Sequence, residues 1–147
     1  MIIGTAEEMR ELGARIAGEL RAGDLVLLSG PLGAGKTTLA QGIGAGLGVF
    51  GVVSPTFVIA RVHREGRIPL VHVDAYRLSS VAEVDDLDLD ASLEESATLV
   101  EWGEGLVEGL SGDRLQVHIS RTEDGEARSV ELAGVGDRWT STPLLRR

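Results

Sequence analysis

Eight consecutive residues that follow an apolar run have the types and spacing of an anion-binding loop. Residues 30–37 read GPLGAGKT and fit the pattern G-x-x-x-x-G-K-[ST], the phosphate-binding loop (P-loop) of nucleoside triphosphatases. Glycines allow backbone conformations that are closed to other residues, so the loop can turn its N–H groups inward around an anion. The helix expected after the loop adds the positive end of its dipole. The pattern therefore predicts a site for a nucleoside triphosphate.

The residues of this loop have separate predicted roles. Lys36 supplies a mobile positive charge for the outer phosphates, and Thr37 supplies a hydroxyl oxygen for Mg²⁺. The other residues of this stretch that are predicted to bind the nucleotide are Gly30, Pro31, Leu32, Gly33, Ala34, Gly35 and Thr38.

Two further apolar runs end in an acidic residue. Residues 70–74 read LVHVD, and residues 99–101 read LVE. In an open α/β sheet, ligands bind beyond the carboxyl ends of the strands, so both carboxylates are expected near the phosphates. Asp74 is predicted to act on Mg²⁺, directly or through water, and Glu101 to orient water or add a metal contact. The alternative for each is an ordinary surface carboxylate at a strand end.

Other polar residues give weaker signals. His72 alternates with apolar neighbours on its strand, which favours a packed or half-exposed side chain over a metal ligand. The three histidines of the chain are scattered and lack the spacing of a metal site. The aspartates in residues 81–90 favour a solvated acidic helix and loop over a docking surface for a basic partner.

Apolar periodicity predicts the elements that position these groups. Thr5 and Glu8 form a capping box before a helix over 6–21, and residues 25–28 are typical of a buried parallel strand. The remaining predicted elements are a loop helix that ends at Gly48, an antiparallel hairpin over 57–63 and 68–73, and a terminal hairpin over 114–121 and 127–132. Glycines at 42, 44 and 46 weaken the loop helix, unless close packing on the sheet requires them.

Composition limits the class of protein. A chain of 147 residues with 43% hydrophobic content suits one core, which predicts a single P-loop domain over 1–133 and a C-terminal tail over 134–147, flexible or anchored by Trp139. The absence of cysteine excludes disulfides and thiolate metal sites.

Charge and hydropathy limit the possible partners. A net charge of −9 argues against a broad electrostatic binding surface for nucleic acid, so a link to RNA would run through a partner or a small patch. No run approaches membrane-spanning length, which predicts a soluble cytoplasmic protein without membrane contact.

Four ordered motifs together resemble one family. They are SGPLGAGKTTL at 29–39, SPTF at 54–57, HVDAYRL at 72–78 and LVEW at 99–102, and they cover most of residues 25–105. This set resembles the TsaE (YjeE) family, the small P-loop ATPase of bacterial tRNA threonylcarbamoyladenosine biosynthesis. The resemblance implies a three-layer α/β fold of the P-loop NTPase type, whose mixed sheet is parallel at its centre and flanked by antiparallel strands.

The resemblance also implies an activity and partners. It implies binding of ATP or ADP with Mg²⁺, slow intrinsic hydrolysis, and assembly with the threonylcarbamoyl-transferase subunit TsaD and its inactive paralogue TsaB. That complex modifies adenosine in the anticodon loop of tRNAs that read codons starting with A. The ATPase is not the transferase, and contacts tRNA only through the complex. Its turnover of ATP supports repeated cycles.

Several site roles come from the resemblance residue by residue. Glu101 and Trp102 match an acid–tryptophan pair needed for activity, Asp74 takes the metal-side carboxylate role, and Thr56 matches a switch-like loop near the γ-phosphate. One departure is Pro31, which stands where many members carry an acidic residue. It carries no charge and donates no N–H.

Two alternatives to an ATP-hydrolysing accessory enzyme remain open from the sequence. One is a nucleotide-gated binding module, in which ATP orders the 54–57 loop for docking and hydrolysis is incidental. The other is a small-molecule kinase, which usually needs a lid with several arginines. The acidic 81–95 region offers no such cluster, so the kinase ranks last.

Overall fold

A computed structural model describes residues 1–31, 34–50, 52, 60–74, 94–101, 113–123, 125–140 and 142–145. The strands in these ranges are β1 (Ile2–Ile3), β2 (Leu25–Ser29), β3 (Ala60–His63), β4 (Leu70–Asp74), β5 (Ala97–Glu101), β6 (Arg114–Arg121) and β7 (Arg128–Val135). The α-helices are α1 (Ala6–Glu19) and α2 (Lys36–Leu47), and two 3₁₀ turns follow at Asp137–Trp139 and Pro143–Leu145.

The described strands form one sheet in the order β1-β7-β6-β2-β5-β4-β3. Strand β2 lies at its centre and pairs in parallel with both β5 and β6, and β4 also pairs in parallel with β5. The outer pairs β1–β7, β6–β7 and β3–β4 are antiparallel. The predicted mixed sheet with a parallel centre is therefore confirmed.

Helix α1 begins where the capping residues predicted it. The Glu8 backbone N–H donates to the Thr5 hydroxyl oxygen at 3.0 Å, and the hydroxyl in turn donates to the Glu8 carboxylate at 3.4 Å. The buried face of the helix is Met9, Leu12, Ile16 and Ala17, with the helical spacing read from the sequence.

Helices α1 and α2 approach until their backbones nearly touch, because glycines line the contact. A Cβ atom on Gly13 would lie 2.6 Å from the carbonyl oxygen of Leu39, and one on Gly42 would collide with the carbonyl oxygen of Arg10. The sequence left open whether packing on the sheet requires the glycines of α2; for Gly42 the close neighbour is α1 instead.

The two predicted hairpins are present, with different lengths. Strands β3 and β4 pair from Ala60 opposite Val73 to His63 opposite Leu70, while residues 57–59 lie outside the described part. In the terminal hairpin, Leu115, Val117 and Ile119 of β6 are buried in alternation. Strand β7 runs through Val135, so it includes the first residues of the predicted tail.

Residues after β7 pack on the start of the central strand. The Arg138 guanidinium donates to both carboxylate oxygens of Asp24 at 3.0 and 2.9 Å and lies 4.3 Å above the ring of Trp139. Trp139 itself is fully buried. The division into a domain over 1–133 and a tail over 134–147 stays a prediction. Within residues 134–147, the buried Trp139 is an anchor.

None of the helices in the described ranges combines the length and the apolar character needed to cross a bilayer.

Candidate functional site

The P-loop joins the central strand to α2. Strand β2 ends at Ser29, and α2 begins at Lys36 after Gly35, which has a left-handed φ of 113° and caps the helix without a side-chain hydrogen bond. Gly30 also has a positive φ, of 144°, and a Cβ there would collide with the carbonyl oxygen of Ile119. Both positions therefore require glycine. Because Gly35 has no side chain that could cap α2, the first N–H groups of this helix suit an anion at its N-terminus.

Lys36 folds back onto this loop. Its side chain is buried, and its ammonium donates to the carbonyl oxygens of Gly30 at 2.6 Å and Pro31 at 3.2 Å. Since it is the only lysine of the chain, it is the one ammonium side chain that can meet a phosphate. Thr37 and Thr38 follow in the first turn of α2, and both are half-buried.

The acidic ends of two strands lie beside the loop. In the parallel ladders, Glu101 of β5 stands opposite Leu28 of β2 on one side and Asp74 of β4 on the other. The sheet therefore brings both acidic positions to the edge from which the P-loop leaves, as predicted from the strand ends. The side chain of Asp74 lies outside the described part, so the pairing concerns its backbone.

Glu101 is buried and is held by a histidine. Its Oε2 lies 2.6 Å from Nε2 of His72, and the two side chains are 3% and 0% exposed. An ordinary surface carboxylate is therefore excluded for Glu101. His72 is packed, as favoured from its alternation on the strand, but its bond to Glu101 was not predicted. Among the described residues, no group of three or more acidic or histidine side chains could hold a metal ion by itself.

A cleft of about 210 Å³ lies on the other side of the loop. Its lining comes from the N-terminal segment, the loop, α2 and the β6–β7 turn: Ile3, Gly4, Thr5, Ala6, Met9, Ala34, Gly35, Thr38, Glu126 and Arg128. Arg128 ties this wall to the loop, because its Nε donates to the carbonyl oxygen of Ala34 at 3.1 Å. Of these lining residues, only Ala34, Gly35 and Thr38 are predicted from the sequence to contact a ligand.

The oxygen donors near the loop fit a magnesium nucleotide. Mg²⁺ takes oxygen ligands in an octahedral arrangement and keeps several waters, so it needs few protein ligands. A threonine hydroxyl at the start of α2 and the carboxylate of Glu101 are donors of that kind, while the glycine cap and Lys36 match phosphate oxygens.

The other predicted site residues lie outside the described part of the chain. They are Leu32 and Gly33 of the loop, Thr56 of the SPTF motif and Trp102 beside Glu101. The acidic stretch 81–90 lies there as well. Their assigned roles stay predictions.

Comparison with known proteins decides the family. The family model described as "Threonylcarbamoyl adenosine biosynthesis protein TsaE" matches residues 3–130. This chain belongs to the TsaE family. A TsaE protein from Streptomyces coelicolor, named for tRNA threonylcarbamoyladenosine biosynthesis, is 61% identical over 144 residues, which cover 92% of this chain and 97% of the relative. The protein of that name from Bacillus subtilis is 39% identical over 135 residues, covering 90% and 84% of the two chains.

A solved structure supports the same placement. The crystal structure of Bacillus subtilis YdiB matches with a TM-score of 0.79 at 32% identity, covering 95% of this chain and 86% of that chain. The resemblance read from the four motifs is confirmed, and so is the fold. As a member of the TsaE family, the chain has a role in tRNA threonylcarbamoyladenosine biosynthesis.

Proposed function

We propose that this protein is a Mg²⁺-dependent P-loop ATPase that serves as an accessory protein in threonylcarbamoyladenosine modification of tRNA. The proposal rests on two buried charged side chains, Lys36 at the P-loop and Glu101 on the neighbouring strand. A glycine-capped helix with the buried Lys36 lies at the loop, and the buried carboxylate of Glu101 lies one strand away.

The described residues support a division of labour in binding ATP. The N–H groups at the start of α2 and the Lys36 ammonium bind the outer phosphates, in exchange for the carbonyl contacts that Lys36 makes to its own loop. Thr37, Asp74 and Glu101 hold the Mg²⁺. When bound, the ion neutralises charge on the phosphate oxygens. Lys36 adds to that charge balance during hydrolysis of the terminal phosphate.

Glu101 has the second proposed part in hydrolysis. Its carboxylate accepts a hydrogen bond from the attacking water and so fixes the direction of attack. Burial between strands gives it a fixed position, because β5 pairs with both β2 and β4 along its length. Asp74, whose backbone ends β4 beside Glu101, is proposed as the carboxylate on the metal side of the nucleotide. Trp102 and Thr56 complete the proposed nucleotide site.

The cleft on the other side of the loop is proposed to take the nucleoside. It adjoins Gly35 and Thr38, where the phosphate chain would leave the loop, and its apolar wall includes Ile3 and Met9. Apolar side chains suit the faces of a base, and threonine and arginine side chains suit its polar edge and the ribose. Adenine as the base rests on the family resemblance.

The place of this activity is a multiprotein complex. We propose assembly with a TsaD-type transferase and a TsaB-type paralogue, which act on the anticodon loop of tRNAs that read codons starting with A. A net charge of −9 supports contact with tRNA through those partners rather than directly. Because the modified molecule is tRNA, the proposed place of action is the cytoplasm, without a membrane.

Reconstitution tests this function. Purified protein is mixed with its two proposed partners, and ATP hydrolysis is compared with the same mixture carrying Lys36→Ala. We expect hydrolysis with the wild type and almost none with the variant. Equal hydrolysis in the two mixtures would contradict the enzyme assignment. Multi-turnover tRNA modification with a non-hydrolysable ATP analogue would instead favour the nucleotide-gated binding module.

A further inference from the structure

His72 is a buried polar group to which the proposed reaction gives no role. It lies in the middle of β4 between Val71 and Val73, and its ring is fully buried. Aliphatic side chains fill the neighbouring positions of the strand, so packing alone does not require an imidazole. Burying a polar ring costs free energy unless it is hydrogen-bonded. The bond from Nε2 to Glu101, at 2.6 Å, is therefore the feature that explains a histidine here.

The ring has a defined proton arrangement in this geometry. Nδ1 is buried and has no hydrogen-bond partner among the described residues. A proton on Nδ1 would thus be a buried donor without an acceptor, whereas a proton on Nε2 points at a carboxylate oxygen. The favoured tautomer carries its proton on Nε2 and donates it to Oε2 of Glu101.

We infer that His72 is a positioning residue for Glu101. By occupying Oε2, it fixes the rotation of the carboxylate and leaves Oε1 to act on the attacking water or the metal. This inference rests on the proposed function, and it gives β4 a second residue in the site besides Asp74. Glu101 is held by β4 through His72 as well as by its own strand, β5.

A side-chain NMR measurement tests the bond without any turnover. In protein labelled with ¹⁵N-histidine, the His72 ring is expected to show a protonated Nε2 and a bare Nδ1. Its Nε2 proton should be protected from exchange and should shift when Glu101 is changed to Gln. An unprotonated Nε2 would overturn the inference. A carboxylate oxygen only accepts hydrogen bonds, so Nε2 must carry the proton that it donates.

Kinetics test the consequence with three variants. His72→Leu keeps the bulk and removes the donor, whereas His72→Gln places an amide N–H near the position of Nε2. His63→Leu is the control, because His63 lies on β3 opposite Leu70, at the far end of the strand from Asp74. We expect His72→Leu to lower kcat for ATP by about tenfold, with KM and ADP affinity within about threefold of wild type. His72→Gln should recover most of kcat, and the control should leave it unchanged.

The outcomes separate this inference from the proposed function. If the wild type does not hydrolyse ATP, the proposed function fails, and the inferred role of the His72 bond in catalysis fails with it. If the wild type is active and folded His72→Leu matches it, only the role of His72 fails. Equal losses in folded His72→Leu and His72→Gln would assign the effect to packing and overturn the inference. In a Glu101→Gln background, His72→Leu should lower kcat no further, because the carboxylate it positions is gone.

Discussion

On one flank of the P-loop, β4 and β5 bring the buried Glu101 and His72 together at 2.6 Å. On the other flank, the N-terminal segment and the β6–β7 turn enclose a cleft that Arg128 ties to the loop at 3.1 Å. The first flank is made of central strands with pairing on both sides, and the second is made of the edge of the sheet. A catalytic side chain needs a fixed position, whereas a nucleobase needs a surface of complementary shape. Changes on the acidic flank should therefore lower turnover, and changes on the cleft flank should weaken binding.

The largest effect is expected at Glu101. Glu101→Gln keeps the shape of the side chain but removes its charge and its capacity as a base. Turnover of ATP should fall about 100-fold or more, while the affinity for ADP without Mg²⁺ should change by less than about threefold. Glu95→Gln is the matched control, because Glu95 is an exposed carboxylate just before β5. Steady-state hydrolysis and calorimetric titration measure the two quantities. Turnover within threefold of wild type would remove the chemical role of this flank.

Lys36 lies between the two flanks and should affect both. Lys36→Ala removes a charge-assisted contact to phosphate worth about 1.5–3 kcal/mol, which weakens ADP binding by about 10- to 150-fold. Arg64→Ala, which removes an exposed cation after β3, should leave the affinity unchanged. Calorimetry with Mg·ADP measures both variants. Unchanged affinity in folded Lys36→Ala would show that the nucleotide does not use this loop.

The close contact between α1 and α2 supports the cleft flank. Gly42→Ala places a methyl group against the backbone of Arg10, which should lower the free energy of unfolding by about 1–3 kcal/mol. Gly18→Ala is the matched control, since a Cβ at Gly18 of α1 meets nothing within 4 Å. Urea denaturation measures both variants. An equally stable Gly42→Ala protein would mean that the helices can separate at little cost, and the cleft wall would then not be rigid.

The smallest effect is expected at Arg128. Arg128→Ala should weaken ADP binding by about fivefold, about 1 kcal/mol, with kcat unchanged. Its effect on pyrophosphate binding should be smaller, because pyrophosphate has no nucleoside to place in the cleft. Arg61→Ala, on the exposed side of β3, serves as the control. Equal losses for ADP and pyrophosphate would show that Arg128 acts only through its bond to Ala34.

The two flanks also differ in how far the sequence predicts them. The loop and both acidic positions were predicted because each lies in a contiguous motif at the end of an apolar strand. The bond between His72 and Glu101 depends on the register between two strands, which no local pattern contains. The cleft depends on the pairing of β1 with β7, which joins residues more than 120 positions apart. Thr5 was recognised only as a helix cap and Arg128 not at all, since neither belongs to a ligand-binding motif.

The packing of the loop helix shows the same limit. Three glycines in α2 signalled a close neighbour, but periodicity did not say which one. For Gly42 that neighbour is α1, because the helices cross where Gly13 also removes a side chain. Trp139 is a similar case: it is buried next to Arg138, which bonds to Asp24 more than 100 residues earlier in the chain.

The single lysine allows a direct test of nucleotide binding at the loop. In protein labelled with ¹³Cε-lysine, the one side-chain signal belongs to Lys36 and needs no assignment. We predict that this signal shifts in a saturable way as Mg·ATP or Mg·ADP is added, because the ammonium exchanges loop carbonyls for phosphate oxygens. A signal that stays at its starting position, while calorimetry shows the nucleotide bound, would contradict the proposed site.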